Sequence, residues 1–285
     1  METIEKDEIR QAVRESYGKV AKAGGVTIGT DPTASCCGPS DTSVDTNLAA
    51  SCCVGPDVTP GQISSIMGYS KDDINSVPEG ANMGLGCGNP VALASLKSGE
   101  TVVDLGSGGG FDCFLAAREV GETGRVIGVD MTSEMVTKAR KNAEKVGATN
   151  VEFRLGEIEH LPVADNSADI IMSNCVINLS PDKQSVYRET YRILKPGGRL
   201  SISDVLATST LPDEVQKDLA LVAACVGGAE TIEETKTLLR NAGFQDIKIK
   251  PKENSRELIS KWSPSKSENA WDYVVSANIE VVKGK

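Results

Sequence analysis

From Glu100 onward, apolar and polar positions alternate between two patterns along the chain. Short runs rich in apolar and β-branched residues predict strands, and the segments between them carry apolar residues at helical spacing. The predicted strands are TVVDLG, RVIGVD, VEFRLG, ADIIMSN, RLSISD, IKIKP and DYVVSANIEVVK. This alternation predicts an α/β fold with a parallel, doubly wound sheet and right-handed crossovers.

The predicted helices between these strands have recognisable starts and stops. The helix DCFLAAREVG is closed by Gly121, and a second helix begins at Ser133 as its cap and ends at Gly147. A third has Ser180 as its N-cap, Pro181 at its first position and a glycine stop in LKPGG. The segment TKTLLRNAGF predicts a further helix before the last two strands.

Two segments depart from this alternation. Residues 5–22 have the apolar spacing of an amphipathic helix, and the stretch that follows is rich in Gly, Ser, Thr, Pro and Asp, which is typical of a loop. Further along, LPDEVQKDLALVAACVGGAE predicts one helix that runs into a glycine turn. The predicted organisation is an N-terminal helix with a flexible, cysteine-containing segment (1–62), a core (63–207), an inserted segment that covers the substrate (208–232), and a closing helix and strands (233–285).

Composition narrows the choice of partners. Of the 285 residues, 25% are charged and 39% apolar, which is ordinary for a globular protein, and the net charge is −10. This acidic balance disfavours nucleic acid and anionic membranes as partners. The opening METIEKDEIR is unlike a secretory signal, and no apolar run reaches the length of a membrane span. We therefore expect a cytoplasmic protein.

The chain has eight cysteines and one histidine, His160. In a chain of this size that is expected to stay inside the cell, reduced thiols that bind ligands or undergo redox chemistry are more plausible than a disulfide framework. Histidine-based acid–base chemistry and multi-histidine metal sites are correspondingly disfavoured. The cysteines are Cys36, Cys37, Cys52, Cys53, Cys87, Cys113, Cys175 and Cys225.

A glycine-rich loop, VDLGSGGGF, follows the first core strand and leads into a helix. Such a loop is by itself a weak signal, since a tight strand–helix turn would explain it equally. Asp130, at the end of the second strand, is placed to accept hydrogen bonds from ribose hydroxyls. The segment LGEIEHLP offers polar groups near an adenine edge, and Asp104 suits a cationic amino group but would repel pyrophosphate.

These segments resemble the class I S-adenosylmethionine-dependent methyltransferases. The resemblance rests on VVDLGSGGG, GVD, LPVADNSADII and LKPGGRL and covers residues 100–204. It implies a Rossmann-like sheet that binds S-adenosylmethionine at the ends of its strands. The expected cofactor-binding residues are Asp104, Gly106, Ser107, Gly108, Asp130, Met131, Glu157, Ile158, Glu159 and Asn174.

The methyl acceptor is a separate question. Oxygen and nitrogen acceptors usually need a general base, and none is evident at the end of the fourth strand, where Cys175 stands. Cys87 precedes the first core strand and Cys225 lies on the inserted segment. Three thiolates suit a soft acceptor; zinc would require a fourth ligand and a characteristic cysteine spacing, whereas trivalent arsenic is pyramidal with three thiolates and keeps a free lone pair.

At these cysteines the chain also resembles the arsenite methyltransferases. The resemblance rests on GLGCGNP, DLGSGGGFDCF, GVDMT, NCVINLSPDK and CVGGA and runs from about residue 63 to 245. It implies methyl transfer from S-adenosylmethionine to As(III) for arsenic detoxification, with Cys87, Cys175 and Cys225 as arsenic ligands. It also implies regeneration by an external thiol reductant, thioredoxin or glutathione. Members commonly use a further N-terminal cysteine, for which Cys37 and Cys53 are the candidates.

Several alternatives stay open at this point. Cys113 is best interpreted as a small buried apolar side chain, with a disulfide partner as the alternative. The enzyme could instead methylate a small molecule at carbon or oxygen, with incidental cysteines. A thiol-based As(III) sensor or sequestration protein without turnover is the alternative from another class. The resemblance does not extend to the additional C-terminal domain of longer relatives, so the extent of methylation is open.

Overall fold

The computed structural model describes residues 5–23, 59–253, 255 and 270–285. Within these residues, seven strands form one sheet in the order β3-β2-β1-β4-β5-β7-β6. The strands are β1 (Thr101–Leu105), β2 (Arg125–Asp130), β3 (Val151–Leu155), β4 (Ala168–Asn174), β5 (Leu194–Ala207), β6 (Gln245–Pro251) and β7 (Val274–Val282).

The direction of the strands confirms the predicted doubly wound α/β sheet, with one exception. Strands β3, β2, β1, β4 and β5 pair in parallel. The closing strand β7 instead lies between β5 and β6 and runs antiparallel to both. The expectation of a wholly parallel sheet is therefore wrong at this edge. A parallel strand needs a crossover connection, usually a helix, whereas an antiparallel strand needs none.

Helices cover both faces of the sheet. The structure has α1 (Lys6–Ala23), α2 (Pro60–Ile66), α3 (Lys71–Ser76), α4 (Pro90–Ala94), α5 (Phe111–Val120), α6 (Ser133–Val146), α7 (Lys183–Ile193), α8 (Asp213–Lys217), α9 (Leu219–Ala223) and α10 (Ile232–Ala242), with a 3₁₀ turn at Ile177–Leu179. In the described part of the chain, none of these helices combines the length and the apolar character needed to cross a membrane.

Successive residues of the central strands point to opposite faces and build two separate cores. Val102 and Ile170 pack with residues of α4, α5 and α6. Val103 and Ile171 pack with residues of α7 and α10 on the other face. This two-sided burial explains why the strands read as nearly continuous apolar runs in the sequence, as is typical of parallel sheets.

Two predicted helix starts are wrong by a few residues. Helix α6 is capped by Thr132, and Ser133 is already helical. Helix α7 begins after Asp182, whose side chain accepts the Ser185 N–H at 3.1 Å. Ser180, the predicted cap, instead donates its hydroxyl to Glu159 at 2.7 Å. The Ser180 oxygen also accepts the Asp182 N–H at 3.0 Å, so the serine closes the turn before the helix while Asp182 takes the N-cap position.

Two other boundaries also differ from the prediction. Helix α7 ends at Ile193 and β5 begins at once with Leu194, so the glycines of LKPGG lie in the strand and do not stop the helix. The single helix predicted after residue 208 is two short ones, α8 and α9. They are separated at Asp218, whose carboxylate accepts the N–H groups of Ala220 and Leu221 and so starts α9. The predicted division of the chain into four stretches stays a prediction.

The core on the α7 and α10 face should tolerate truncation poorly. Ile202 on β5 is fully buried, so Ile202→Ala is expected to lower the free energy of unfolding by about 2–5 kcal/mol through lost burial and a residual cavity. Chemical denaturation measures this change. Val282→Ala, on the same sheet but 43% exposed, is the matched control and should change stability by less than about 1 kcal/mol. Equal effects of the two substitutions would contradict the described packing.

Candidate active site

The glycine loop lies between the end of β1 and the start of α5, as predicted. Its N–H groups at Gly106 and Ser107 donate to the Val129 carbonyl at 2.7 and 3.1 Å. Gly106 has φ +69°, and a Cβ there would collide with the side chain of Val176. The position therefore needs glycine both for its backbone conformation and for the close approach of Val176.

Asp130 fastens this loop to the end of β2. Its carboxylate accepts the Gly108 N–H at 3.0 Å and the Thr132 N–H at 2.8 Å. Because Asp130 is almost fully buried, both bonds are sheltered from water. The two strand ends thus share one rigid rim at the carboxyl edge of the sheet, where doubly wound sheets bind their ligands.

A cavity of about 540 Å³ opens along this rim and continues to the end of β4. Nine of the ten expected cofactor residues line it: Asp104, Gly106, Ser107, Gly108, Asp130, Met131, Ile158, Glu159 and Asn174. Cys175 and Cys225 line the same cavity, and Gly86, next to the fully buried Cys87, does too. The cofactor loop and the thiols of Cys175 and Cys225 therefore line one continuous space, and Cys87 is buried next to it.

The tenth residue, Glu157, is directed elsewhere. Its carboxylate pairs with Arg14 and, at 3.5 Å, with Arg10, both on α1, and it is not among the residues that line the cavity. Arg10 also lies 3.5 Å from Glu159, which does line it. Glu157 therefore helps to hold the N-terminal helix over the site in this arrangement.

Helix α1 forms one wall of the cavity, a role that the sequence did not indicate. Val13, Tyr17 and Val20 face the cavity along with Arg10. The Tyr17 hydroxyl contacts the Ala223 carbonyl of α9 at 3.4 Å. Since α1 also contacts α6 and the 3₁₀ turn after β4, it joins the cofactor side of the cavity to the thiol side.

Three buried carboxylates give the cofactor end of the cavity its electrostatic character. Burial raises the pKa of Asp104 well above its ordinary value, and that of Asp130 is raised for the same reason. Burial raises the pKa of Asp112 to about 6. Their hydrogen-bond donors are neutral: the Cys113 thiol at 3.2 Å for Asp104, and two backbone N–H groups for Asp130. Such a group of carboxylates favours a cationic ligand.

A polar network that the sequence analysis missed connects Asp112 to the thiols. The Tyr69 hydroxyl donates to Asp112 at 2.6 Å, and the Asn174 amide donates to Asp112 at 3.2 Å and to the Gly88 carbonyl at 2.9 Å. The Asn174 oxygen accepts the Cys87 N–H at 2.9 Å. Asn174 thus fixes the Cys87 loop against the end of β4, a long-range contact with no local sequence signal.

Unpaired polar atoms in the cavity also indicate a ligand. Among the described residues, the Ser107 hydroxyl and the Asn82 amide nitrogen are buried without a hydrogen-bond partner, and both residues line the cavity. Burying a polar group without a partner costs about 1–3 kcal/mol, which a bound polar ligand would recover. These orphaned groups, the glycine loop and the acidic rim fit a ligand that carries hydroxyl, amino and cationic groups, as S-adenosylmethionine does.

The raised pKa of Asp112 makes a testable difference to stability. An acid whose pKa is higher in the folded state than in the unfolded chain binds its proton more tightly when folded, so it destabilises the fold as pH rises from about 4 to about 6. As pH rises through this window, the free energy of unfolding of Asp112→Asn should increase by about 3 kcal/mol relative to that of the wild type. Urea denaturation at several pH values measures the difference. A constant offset between the two proteins across the window would contradict the assignment.

Three thiols meet at the other end of the cavity. Cys175 follows Asn174 directly at the end of β4, and the thiols of Cys87 and Cys225 interact with its sulfur. The Cys225 thiol donates to the Cys175 carbonyl at 2.9 Å. All three are at least nine-tenths buried, and burial raises the pKa of Cys175 well above its ordinary value and that of Cys87 in the same direction. The cysteines scattered in sequence therefore converge in space.

Two of these cysteines have a backbone conformation that side chains rarely adopt. Cys175 has φ +58° and Cys225 has φ +63°. Non-glycine residues in this left-handed region are uncommon and cluster at functional sites, where the surrounding structure maintains them. Here, the cysteines stand where glycine or asparagine would be less strained, which suggests that the thiol itself is needed.

Asp204 adjoins the thiols and was also missed. It ends the predicted strand RLSISD, within β5, and one of its carboxylate oxygens, Cys87 Sγ and Cys175 Sγ all lie within 4.8 Å of one another. Burial raises its pKa to about 6. Asp204 lies towards the carboxyl end of a parallel strand, and this position could have predicted it as a site residue. Asn174 was predicted from the same kind of position.

The remaining cysteines are not part of this cluster. Cys113 is a free, fully buried thiol in the core beneath α5, which agrees with its interpretation as a small apolar side chain, although its S–H also donates to Asp104. Cys36, Cys37, Cys52 and Cys53 lie outside the described residues. His160 is exposed in the turn after β3.

Comparisons with known proteins agree with this geometry. The sequence model of the family described as "Methyltransferase domain" matches residues 96–243. The arsenite methyltransferase of Halobacterium salinarum is 50% identical over 97% of this chain and 67% of its own length. The chain belongs to the arsenite methyltransferase family. A member from Aquipseudomonas alcaligenes is 46% identical over 65% of this chain, although the match spans only 56% of that protein.

Solved structures support the family and the fold. The arsenic(III) S-adenosylmethionine methyltransferase of Chlamydomonas reinhardtii superposes with a TM-score of 0.58, at 31% identity, and covers 80% of this chain and 74% of that one. A phosphoethanolamine N-methyltransferase of Haemonchus contortus gives a TM-score of 0.59 at 19% identity, which supports the fold alone. The Rossmann-like class I methyltransferase architecture is confirmed.

Proposed function

We propose that this protein transfers a methyl group from S-adenosylmethionine to trivalent arsenic held by Cys87, Cys175 and Cys225, as an arsenic detoxification enzyme. The observation that carries the proposal is the cluster of three buried thiols at one end of a cavity whose other end is the glycine loop. The identity of the relatives supports the same reaction. The substrates are arsenite and methylated arsenicals.

The cofactor end of the cavity has groups suited to S-adenosylmethionine. Asp130 would accept its ribose hydroxyls, and Asp104 would face its ammonium group. Ser107 and Asn82 offer the polar atoms that now lack partners. When bound, S-adenosylmethionine supplies a methyl group attached to a positively charged sulfur. The raised pKa values of the buried carboxylates would fall once these cationic groups are nearby, because an opposite charge favours the ionised form.

The thiol end of the cavity supplies the nucleophile. Arsenite exchanges its three hydroxyl groups for the three cysteine sulfurs. Each thiol proton leaves with one hydroxyl group as water, so neutral thiols give an uncharged arsenic complex. Arsenic bound in this way keeps a lone pair that needs no general base to become reactive. The reaction therefore differs from methylation of oxygen or nitrogen acceptors, which usually needs a general base to remove a proton. Burial in an apolar environment also keeps water away from the reacting atoms.

Transfer of a methyl group to the lone pair raises arsenic from the trivalent to the pentavalent state. Return to the trivalent state requires two electrons, which two thiols deliver by forming a disulfide. We assign their replenishment to an external thiol reductant of the thioredoxin or glutathione type. Cys37 and Cys53 remain the predicted N-terminal participants, and they lie outside the described residues.

The direct test is a turnover assay. The purified chain, incubated with arsenite, a thiol reductant and methyl-labelled S-adenosylmethionine, should give labelled methylarsenicals, whereas omission of arsenite should give none. Binding of As(III) without labelled arsenical product would indicate a sensor or sequestration protein. Labelled products from other small molecules, insensitive to arsenite, would indicate a different acceptor.

A further inference from the structure

The thiol cluster contains a fourth potential ligand that the proposed reaction does not use. Asp204 is 2% exposed, and its carboxylate is held by the N–H groups of Val205 at 2.8 Å and Ile177 at 3.1 Å. One carboxylate oxygen remains within 4.8 Å of both Cys87 Sγ and Cys175 Sγ. Trivalent arsenic is satisfied by three thiolates, so this oxygen has no role as an arsenic ligand.

Three converging donors, with a fourth thiol beside one of them, match the needs of a different ion. Zn²⁺ prefers four tetrahedral ligands chosen from sulfur, nitrogen and oxygen, with Zn–S bonds of about 2.3 Å and Zn–O bonds of about 2.0–2.2 Å. These bond lengths place ligand atoms about 3.3–3.8 Å apart. The donor atoms of Cys87, Cys175 and Asp204 lie within 4.8 Å of one another, so they need to close by at most about 1.0–1.5 Å. Cys225 Sγ interacts with Cys175 but lies outside this group of three, so it would supply the fourth ligand by moving towards the other donors.

Two lysine side chains partly offset the negative charge that three thiolates and a carboxylate would carry. The Lys252 ammonium donates to the Cys87 carbonyl at 2.9 Å, and its positive charge favours the ionised form of the Cys87 thiol. The positive charge of Lys183 similarly favours the ionised form of Asp204. Two cations therefore lie beside the donors, while the thiols favour a soft or borderline ion such as zinc over magnesium or calcium.

We propose that Cys87, Cys175, Cys225 and Asp204 form a binding site for Zn²⁺ that occupies the thiol cluster in place of arsenic. Asp204 is the residue that distinguishes the two ions, because zinc uses a fourth ligand and trivalent arsenic does not. Zinc binding releases the thiol protons and should therefore strengthen as pH rises. A consequence, which rests on the proposed function, is that zinc inhibits arsenic methylation by competing with arsenite.

The binding test begins with the full chain in which Cys36, Cys37, Cys52 and Cys53 are serine, so that these four thiols do not contribute; Cys113 is kept because it is fully buried in the core. Zinc titration against a chromophoric chelator should show one equivalent bound. Adding Asp204→Asn should weaken zinc binding at least about tenfold, as expected for loss of a group that holds the metal, and change arsenite affinity less than about threefold. The matched control, Asp246→Asn on the exposed start of β6, should leave both affinities unchanged.

Two outcomes of this titration would overturn the proposal. Equal zinc affinity with and without Asp204→Asn would remove the carboxylate from the ligand set. Parallel loss of zinc and arsenite binding would mean that Asp204 only supports the loop that carries Cys175, through the Ile177 N–H. Both outcomes can be read without any methylation assay, so they remain distinct from failure of the proposed function.

A second measurement needs no change at Asp204. X-ray absorption at the zinc edge of the bound protein should show sulfur neighbours at about 2.3 Å together with an oxygen at about 2.0–2.2 Å. A shell of sulfur alone, or of oxygen and nitrogen alone, would refute the proposed ligand set. Kinetics then test the consequence: zinc should raise the KM for arsenite without lowering kcat, and a fall in kcat at unchanged KM would contradict direct competition.

Discussion

Replacing Cys175 with serine is expected to abolish methyl transfer to arsenic while S-adenosylmethionine binding persists. Serine keeps the size of the side chain but replaces a soft thiolate by a hydroxyl, which is a poor ligand for trivalent arsenic. Loss of a direct ligand should exceed the roughly 10- to 100-fold loss that follows removal of a supporting partner. Turnover with labelled S-adenosylmethionine measures the activity, and calorimetric titration measures cofactor affinity.

A suitable control for this substitution lies on the strand that precedes Cys175. Met172→Leu removes a sulfur atom from β4, on a side chain that packs with residues of α5 and not with the thiol cluster. Volume-conserving apolar substitutions of this kind cost less than about 1.5 kcal/mol, so the variant should remain folded and active. If Cys175→Ser retained near-normal turnover, the assignment of Cys175 as an arsenic ligand would be refuted.

The second large effect is expected at Asp130. Asp130→Ala removes the acceptor for the Gly108 and Thr132 N–H groups, and with it the group that we expect to hold the ribose. Hydrogen bonds to a charged group contribute about 1.5–3 kcal/mol, so S-adenosylmethionine affinity should fall by about 10- to 100-fold. The affinities for S-adenosylmethionine and S-adenosylhomocysteine can both be measured by calorimetry.

Arsenite binding distinguishes a cofactor defect from general misfolding in this variant. Because Asp130 lies at the cofactor end of the cavity, Asp130→Ala should still bind As(III) at the thiols. Asp165→Ala, which removes an exposed carboxylate from the turn before β4, should leave both affinities unchanged. Unaltered S-adenosylmethionine affinity in Asp130→Ala would exclude Asp130 from the cofactor site.

The alternation of strands and helices could be read from the sequence because each element follows from local spacing. Buried strands such as β1 and β4 are apolar on both faces, and the glycine loop sits in sequence between a strand and a helix. The carboxyl ends of parallel strands lie on one edge of the sheet, so Asp130 and Asn174 could be expected at one site before any contact was known. Helix starts were less predictable, since Ser180 had a tertiary partner in Glu159.

The features that the sequence did not predict depend on contacts between distant segments of the chain. Helix α1 is an ordinary amphipathic helix in sequence, and only its packing against α9 and the 3₁₀ turn makes it a wall of the cavity. The antiparallel place of β7 between β5 and β6 is a pairing of strands that no local pattern specifies. Tyr69 has no spacing that connects it to Asp112, and the fold alone brings the two together. The place of Asp204 towards a strand end indicated the right edge of the sheet, but only the tertiary structure brings its carboxylate to Cys87 and Cys175.

The glycine loop, Asp130 and the succession of the first five strands along the chain were determined by the sequence itself, because short-range patterning is enough to specify them. The resemblance to the arsenite methyltransferases also implied that Cys87, Cys175 and Cys225 act together as arsenic ligands, but no spacing in the sequence shows how their sulfur atoms meet. That meeting was decided by the tertiary structure, through the left-handed conformations of Cys175 and Cys225 and the Asn174 bridge to the Cys87 loop. The tertiary structure also decided the position of the Asp204 carboxylate beside these sulfur atoms. A buried carboxylate needs hydrogen-bond donors, and its donors here, the N–H groups of Ile177 and Val205, come from two separate segments of the chain.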